Sequence, residues 1–164
     1  MAGGVEGTAG AVEGTAATPP IAHRFLVARA AGLGIALSLQ DVRETMRPLP
    51  IDALAGIPPY VLGLSRIRGR AVPVVHLAVL LGGATSAPIE RFVTIDTGGR
   101  RVALAVNAVV GIRTLAADAL GALPPLLGNA PAELVDGLGV LDRDLLVVLR
   151  AARILPPEVW ERLS

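Results

Sequence analysis

The chain has 164 residues, a formal net charge of +1, no cysteine and 52% hydrophobic residues. Near-neutrality excludes the strong field that draws a protein to nucleic acid or to an anionic membrane surface. The lack of thiols excludes a disulfide framework and a thiolate site, in keeping with a reducing compartment. In chain order, Met1 to Pro20 is mainly Gly, Ala and Thr without a basic or apolar signal region, so residues 1–22 are expected to be a disordered tail. Arg24 to Ala30 and Leu33 to Leu39 alternate like strands around Ala31-Gly32, a hairpin signal. Asp41 to Met46 continues as a strand until Pro48-Leu49-Pro50 ends it, and Ile51 to Pro59 is irregular with room for one helical turn. Val61 to Ile67 and Ala71 to Val75 are extended runs broken by Arg68-Gly69-Arg70, where Gly69 is expected to supply a positive φ. Leu77 to Leu81 reads as a brief helix stopped by Gly82-Gly83. Further strands are predicted at Arg91 to Asp96, Arg101 to Val106, Val109 to Leu115, Leu134 to Leu141 and Leu145 to Leu149, with a looser passage from Leu123 to Pro131. Ala151 to Leu155 and Pro157 to Leu163 look helical, Pro157 suiting a first turn. Short strands at this spacing argue for small barrels.

The chain also repeats itself. Arg24 to Val27, Gly32 and Ile35 to Val42 return 67 positions later as Arg91 to Thr94, Gly99 and Val102 to Val109, with six identical pairs. A weaker echo sets Val74 to Leu81 against Val147 to Ile154, an offset of 73. Repetition fixes architecture before any single motif does. It predicts one domain over 23–156 made of two lobes, about 23–88 and 89–156, followed by a helical segment at 157–164. Phe25, Tyr60, Phe92 and Trp160 are the only aromatic residues, so the shared core is expected to be aliphatic. The longest uncharged stretch, Ala71 to Ile89, is interrupted by Pro73, His76, Gly82-Gly83 and Pro88, which is unlike the roughly 20 apolar residues of a spanning helix.

Reactive groups are scarce. Histidine, the usual base near neutral pH, occurs only as His23 and His76, and His76 lies in an apolar run where a partly buried strand-end ring is the natural expectation. No second His or Cys stands at metal-ligand spacing, so no metal or cofactor is expected. Asp142 and Asp144 flank Arg143 in what reads as a hairpin turn of the ordinary acidic kind, the Gly-rich pieces lack the helix and lysine of a phosphate loop, and the serines have no triad partners. Catalysis is therefore not expected.

One segment is dense in pattern: Gly63, Arg68, Gly69, Pro73 and Leu77 stand in the register Gly-(apolar)-x-x-(apolar)-Arg-Gly-x-(apolar)-(apolar)-Pro-(apolar)-(apolar)-x-Leu. Val42-Arg43-Glu44 upstream and Ile57 to Val61 complete it on one side, and Val106 to Val109 and Val140 to Leu149 on the other. Over about His23 to Pro156 the sequence resembles the CheW-like family, the adaptors of bacterial chemosensory arrays. The resemblance implies a mostly β fold of two SH3-like five-stranded barrel subdomains with short helices. It implies a cytoplasmic scaffold recruited to membrane-associated arrays, coupling the tips of chemoreceptors to the regulatory domain of a CheA-type histidine kinase, with other CheW-like proteins as further partners. Neither nucleic acid nor membrane insertion belongs to that role. Val42, Glu44, Gly63, Arg68 and Gly69 fall at positions of the kinase contact, and Leu104, Val106 and Val109 at positions of a receptor groove between lobes. Glu44 and Arg68 are equally expected to form an intramolecular pair, interior packing competes for Leu104, Val106 and Val109, and Trp160 either anchors an interface or staples the last helix.

The sequence departs from the family pattern at Arg66, His76, Ala78 and Asn107, which predicts an altered charge pattern around both hairpins and altered partner specificity. Two other readings remain: a CheW-like module acting in a developmental or transcriptional pathway, and a small enzyme or ligand-binding barrel, for which no polar cluster can be assembled.

Overall fold

Alternation and turn chemistry together set the strands. The computed structural model describes residues 22–83, 87–116, 134–141 and 144–163; the tail, the passage 123–131 and the Asp142-Arg143 turn lie outside them. The strands are β1 (Ala22–Ala30), β2 (Leu33–Ser38), β3 (Val42–Met46), β4 (Val61–Ile67), β5 (Arg70–His76), β6 (Arg91–Thr97), β7 (Arg100–Val106), β8 (Ala108–Ala116), β9 (Val135–Leu141) and β10 (Asp144–Leu149). Helix α1 is Leu77–Leu80, a short 3-10 turn is Ala151–Arg153, and α2 is Pro157–Leu163. Three hairpins close on two residues of positive φ: Ala31 and Gly32 (56° and 73°), Arg68 and Gly69 (53° and 77°), Gly98 and Gly99 (61° and 89°). This is type I′ geometry, whose twist matches that of the flanking strands. Arg68 thus shares the left-handed conformation that the sequence assigned to Gly69 alone.

The helical turn allowed for within Ile51 to Pro59 does not form. Pro58 and Pro59 lack the N–H that a helix needs, and Asp52 instead makes a single bridge to Leu64, donating at 2.7 Å and accepting at 2.9 Å. Ser65 Oγ donates to the Pro50 carbonyl at 2.9 Å, which ties the same segment to β4.

The strands form two five-stranded sheets, ordered β8-β1-β2-β10-β9 and β3-β6-β7-β5-β4. Advancing every strand of the first order by five, cyclically, produces the second. The duplication is therefore real at the level of topology, and its registers agree residue for residue. Phe25 pairs with Ser38 and Arg113, and 67 positions on Phe92 pairs with Ala105 and Met46. Even the bulges correspond, Val110 being skipped opposite β1 and Arg43 opposite β6. The weaker echo needs a correction: β4 and β5 match β9 and β10 at an offset of 74, not 73. Val61↔Val75 and Gly63↔Val74 become Val135↔Leu149 and Gly137↔Val148, and the parallel pair Val74↔Ala103 becomes Val148↔Ala36. In continuous Val and Leu runs nothing in the sequence pins the register; pairing does.

The sheets do not divide where the repeat divides. One sheet is contiguous from 42 to 106, while the other joins β1 and β2 to β8, β9 and β10. Each half of the chain thus lends its third to fifth strands to the other half's hairpin.

Central strands are buried on both faces. In β1, Leu26, Ala28 and Ala30 enter a large core shared by both sheets, while Phe25 and Val27 join Ala36, Leu115, Leu146 and Val148 in a core private to one sheet. In the other sheet Val93, Ile95, Val102, Leu104 and Val106 face the shared core, and Phe92 fills the private one with Ile67, Val72, Val74, Ala103 and Ala105. The two phenylalanines, equivalent in the repeat, thus fill equivalent cores. Such two-sided burial explains the unbroken apolar runs.

Candidate functional site at the edge-closing ion pair

Strands β3 and β4 lie at opposite edges of their sheet. Yet Glu44 of β3 and Arg68 of the β4–β5 turn meet in a two-pronged contact: Arg68 Nε donates to Glu44 Oε2 at 3.1 Å and Nη2 to Oε1 at 2.7 Å. The sheet must curl for its edges to touch, so the pair closes one end of a barrel. The turn that carries Arg68 holds it at φ 53°. A left-handed bulky residue is costly, and here the cost directs a guanidinium across the barrel mouth. Arg68 remains 71% exposed and the Glu44 side chain 28%. Hydrogen bonding to Arg68 holds the Glu44 carboxyl below its ordinary value, and Arg101 and Arg43 add to the effect; Glu44 in turn raises the Arg68 guanidinium. Both shifts favour the charged forms at neutral pH.

The skipped residue of the β3 bulge is Arg43, whose Nη1 lies 3.3 Å from Asp96 Oδ2. Arg101 Nε reaches the other oxygen, Oδ1, at 3.4 Å. Thr94 Oγ1 donates to the Glu44 carbonyl at 3.3 Å and fixes β3 from the neighbouring strand. Val42, Arg43, Glu44, Arg68 and Arg101 together line a shallow open depression. Sequence reasoning missed Arg43, Asp96 and Arg101. A signal existed, since the Gly98-Gly99 turn sets Asp96 directly opposite Arg101.

Of the residues singled out from sequence, Val42, Glu44 and Arg68 are brought together here. Gly69 completes the turn and is exposed. Gly63 is buried on β4 at φ 141°, where an added Cβ would collide with the Asp52 carbonyl. Leu104 and Val106 are wholly buried in the shared core, and Val109 is half-buried against it. Two of the departures from the family pattern are interior as well: His76 is 6% and Ala78 2% exposed. The expected change of surface charge therefore reduces to Arg66, which is exposed, and Asn107, whose Nδ2 donates to the Pro88 carbonyl at 2.9 Å. Trp160 is half-buried under the Arg100 guanidinium, 4.8 Å from the ring centre, and Arg162 donates to the Gly56 carbonyl at 3.2 Å. These contacts, with buried Val159, staple α2 onto the body. Among the described residues no group of His, Asp or Glu is arranged to hold a metal ion, and no helix is long and apolar enough to cross a membrane.

The family model for the CheW-like domain matches residues 24–158. The chain belongs to the CheW-like family. As a CheW-like protein it is a non-catalytic scaffold of chemosensory signal transduction. It is 28% identical to a probable chemotaxis protein CheW of Rhizobium etli over 115 residues, 69% of this chain and 74% of that one. Protein FrzA of Myxococcus xanthus is 30% identical over 114 residues, 68% of this chain and 70% of that one. The crystal structure of the scaffolding protein TtCheW from Thermoanaerobacter tengcongensis superposes with a TM-score of 0.75 at 18% identity, covering 85% of this chain and 96% of that one. That likeness is one of fold, and the mostly β architecture of two five-stranded sheets with a C-terminal helix agrees with it.

Proposed function

We propose that this CheW-like chain couples chemoreceptor tips to the regulatory domain of a CheA-type histidine kinase, in the cytoplasm at membrane-associated arrays. The observation that carries the reading is the Glu44–Arg68 pair. An exposed guanidinium held in a costly backbone conformation, at a sheet edge, is a poor device for stability and a good one for contact. Val42 and the Arg68-Gly69 turn border the same surface, while Gly63 acts indirectly by setting the β4 backbone. For the receptor, Val109 is the residue of the three candidates that reaches the surface; Leu104 and Val106 act as packing beneath it. Such a scaffold alters kinase output through differences in contact energy between array states.

Calorimetric titration of the purified protein into the kinase encoded in the same genome tests the contact. Wild type is expected to bind with micromolar or tighter affinity, and folded Arg68→Ala and Glu44→Gln variants to lose at least about tenfold. Wild-type affinity in both variants would remove β3 and its facing turn from the interface.

A further inference from the structure

Around the depression three guanidiniums meet two carboxylates. Asp96 is shared by Arg43 and Arg101, at 3.3 and 3.4 Å, and Glu44 is engaged by Arg68 through Nε and Nη2. A guanidinium offers five N–H donors and a carboxylate fills at most two in a fork. The lining residues themselves carry three guanidiniums and one carboxylate, and with the bridging Asp96 counted they still keep donor capacity and one positive charge in excess. Asp41, like Asp96, does not line the depression, and burial and the neighbouring Asp96 carboxylate both raise its carboxyl above the ordinary value. The graded exposure of the arginines suits an acceptor arriving from solvent: Arg68 is 71% exposed, Arg43 53%, and Arg101 forms the floor at 17%. Arg43 is pushed outward because it is the extra residue of the bulge. At the equivalent bulge in the other sheet the repeat places Val110, and Gly111 stands where Glu44 does. This cationic character therefore belongs to one barrel mouth and not to the duplicated design.

We propose that the depression formed by Arg43, Arg68 and Arg101 receives an aspartate or glutamate side chain of the kinase regulatory domain, making Arg43 and Arg101 determinants of partner specificity. The proposal rests on the reading of this surface as the kinase contact. Asp96 bridges Arg43 and Arg101, and Glu44 holds Arg68 at the same depression. The guanidiniums are fixed before the partner arrives, so little side-chain ordering remains to be done on association.

The test is titration of the intact kinase with wild type, Arg43→Glu, Arg101→Gln and Arg68→Ala at low and high ionic strength. Wild-type affinity should fall as salt is raised, and Arg43→Glu should bind at least about tenfold more weakly at low salt, the gap narrowing at high salt as the charges are screened. Arg43 is mostly exposed, so this variant keeps the protein assessable should Arg101→Gln fail to fold. Salt-insensitive binding, or Arg43→Glu binding like wild type while Arg68→Ala is weakened, would overturn the carboxylate pocket and leave the contact surface standing. Absence of binding by the wild type would overturn both.

Discussion

Two glycines of the family pattern sit a turn apart and do different work. Gly69 has φ 77° and open space around its missing Cβ, so Gly69→Ala meets only the backbone cost of the left-handed region, about 1–2 kcal/mol. Gly63, at φ 141°, would in addition drive its Cβ into the Asp52 carbonyl, so Gly63→Ala is expected to cost more, roughly 3 kcal/mol or above. Urea denaturation of the two variants checks the order, and equal midpoints would show that the β4 backbone around Gly63 yields. His76 is the other residue whose environment has a measurable consequence. Its backbone N–H donates to the Tyr60 carbonyl at 2.7 Å, while its Nδ1 finds no hydrogen-bond partner among the described residues. Burial lowers the ring below its ordinary value of 6.5. The unfolded chain therefore takes up the proton first, so His76's contribution is intact above that value and is lost as pH falls through and below it. Melting curves between about pH 7.5 and 5.5 should fall more steeply for wild type than for His76→Gln; parallel curves would mean that the ring reaches solvent.

At the scale of the element, the β4–β5 hairpin combines a turn that wants asparagine or glycine with an arginine that wants a partner. Asn is tolerant of positive φ where Arg is not. Arg68→Asn should hold or raise the melting temperature while losing the fork to Glu44 and weakening kinase binding. A fall in melting temperature comparable to that of a core truncation would instead make the pair a structural clamp. β3 and β8 show what the duplication left free to vary: their registers and bulges coincide, but one carries Arg43 and Glu44 and the other Val110 and Gly111. Because a bulged edge strand projects its extra side chain away from the ladder, these are the positions at which two copies of one architecture can diverge without disturbing either core.

At the scale of the molecule, the exchange of strands makes the two halves interdependent. Residues 23–88 contain β1 and β2 without β8 and β10, and β3 to β5 without β6 and β7, so neither sheet is complete in either half. The separate fragments 23–88 and 89–156 should each give the collapsed amide spectrum of an unfolded chain, and their mixture should recover dispersion if it assembles. A folded fragment 23–88 would show that its strands can pair in a way the intact chain does not use. Sequence alone determined the strands, the hairpin turns, the aliphatic core and the family, because these depend on local alternation, glycine placement and a motif contained within one hairpin. It also brought Glu44 and Arg68 forward, though only as residue types at family positions. Tertiary structure decided three matters: which hairpin each strand joins, the 74-residue offset of the second echo, and the burial of Leu104, Val106, His76 and Ala78. It also placed Arg43, Asp96 and Arg101 around the ion pair. The physical reason is common to all of them: a strand's neighbours and the side of the sheet that is covered are set by pairings between residues tens of positions apart, and an apolar run looks the same whether one face or two will be buried.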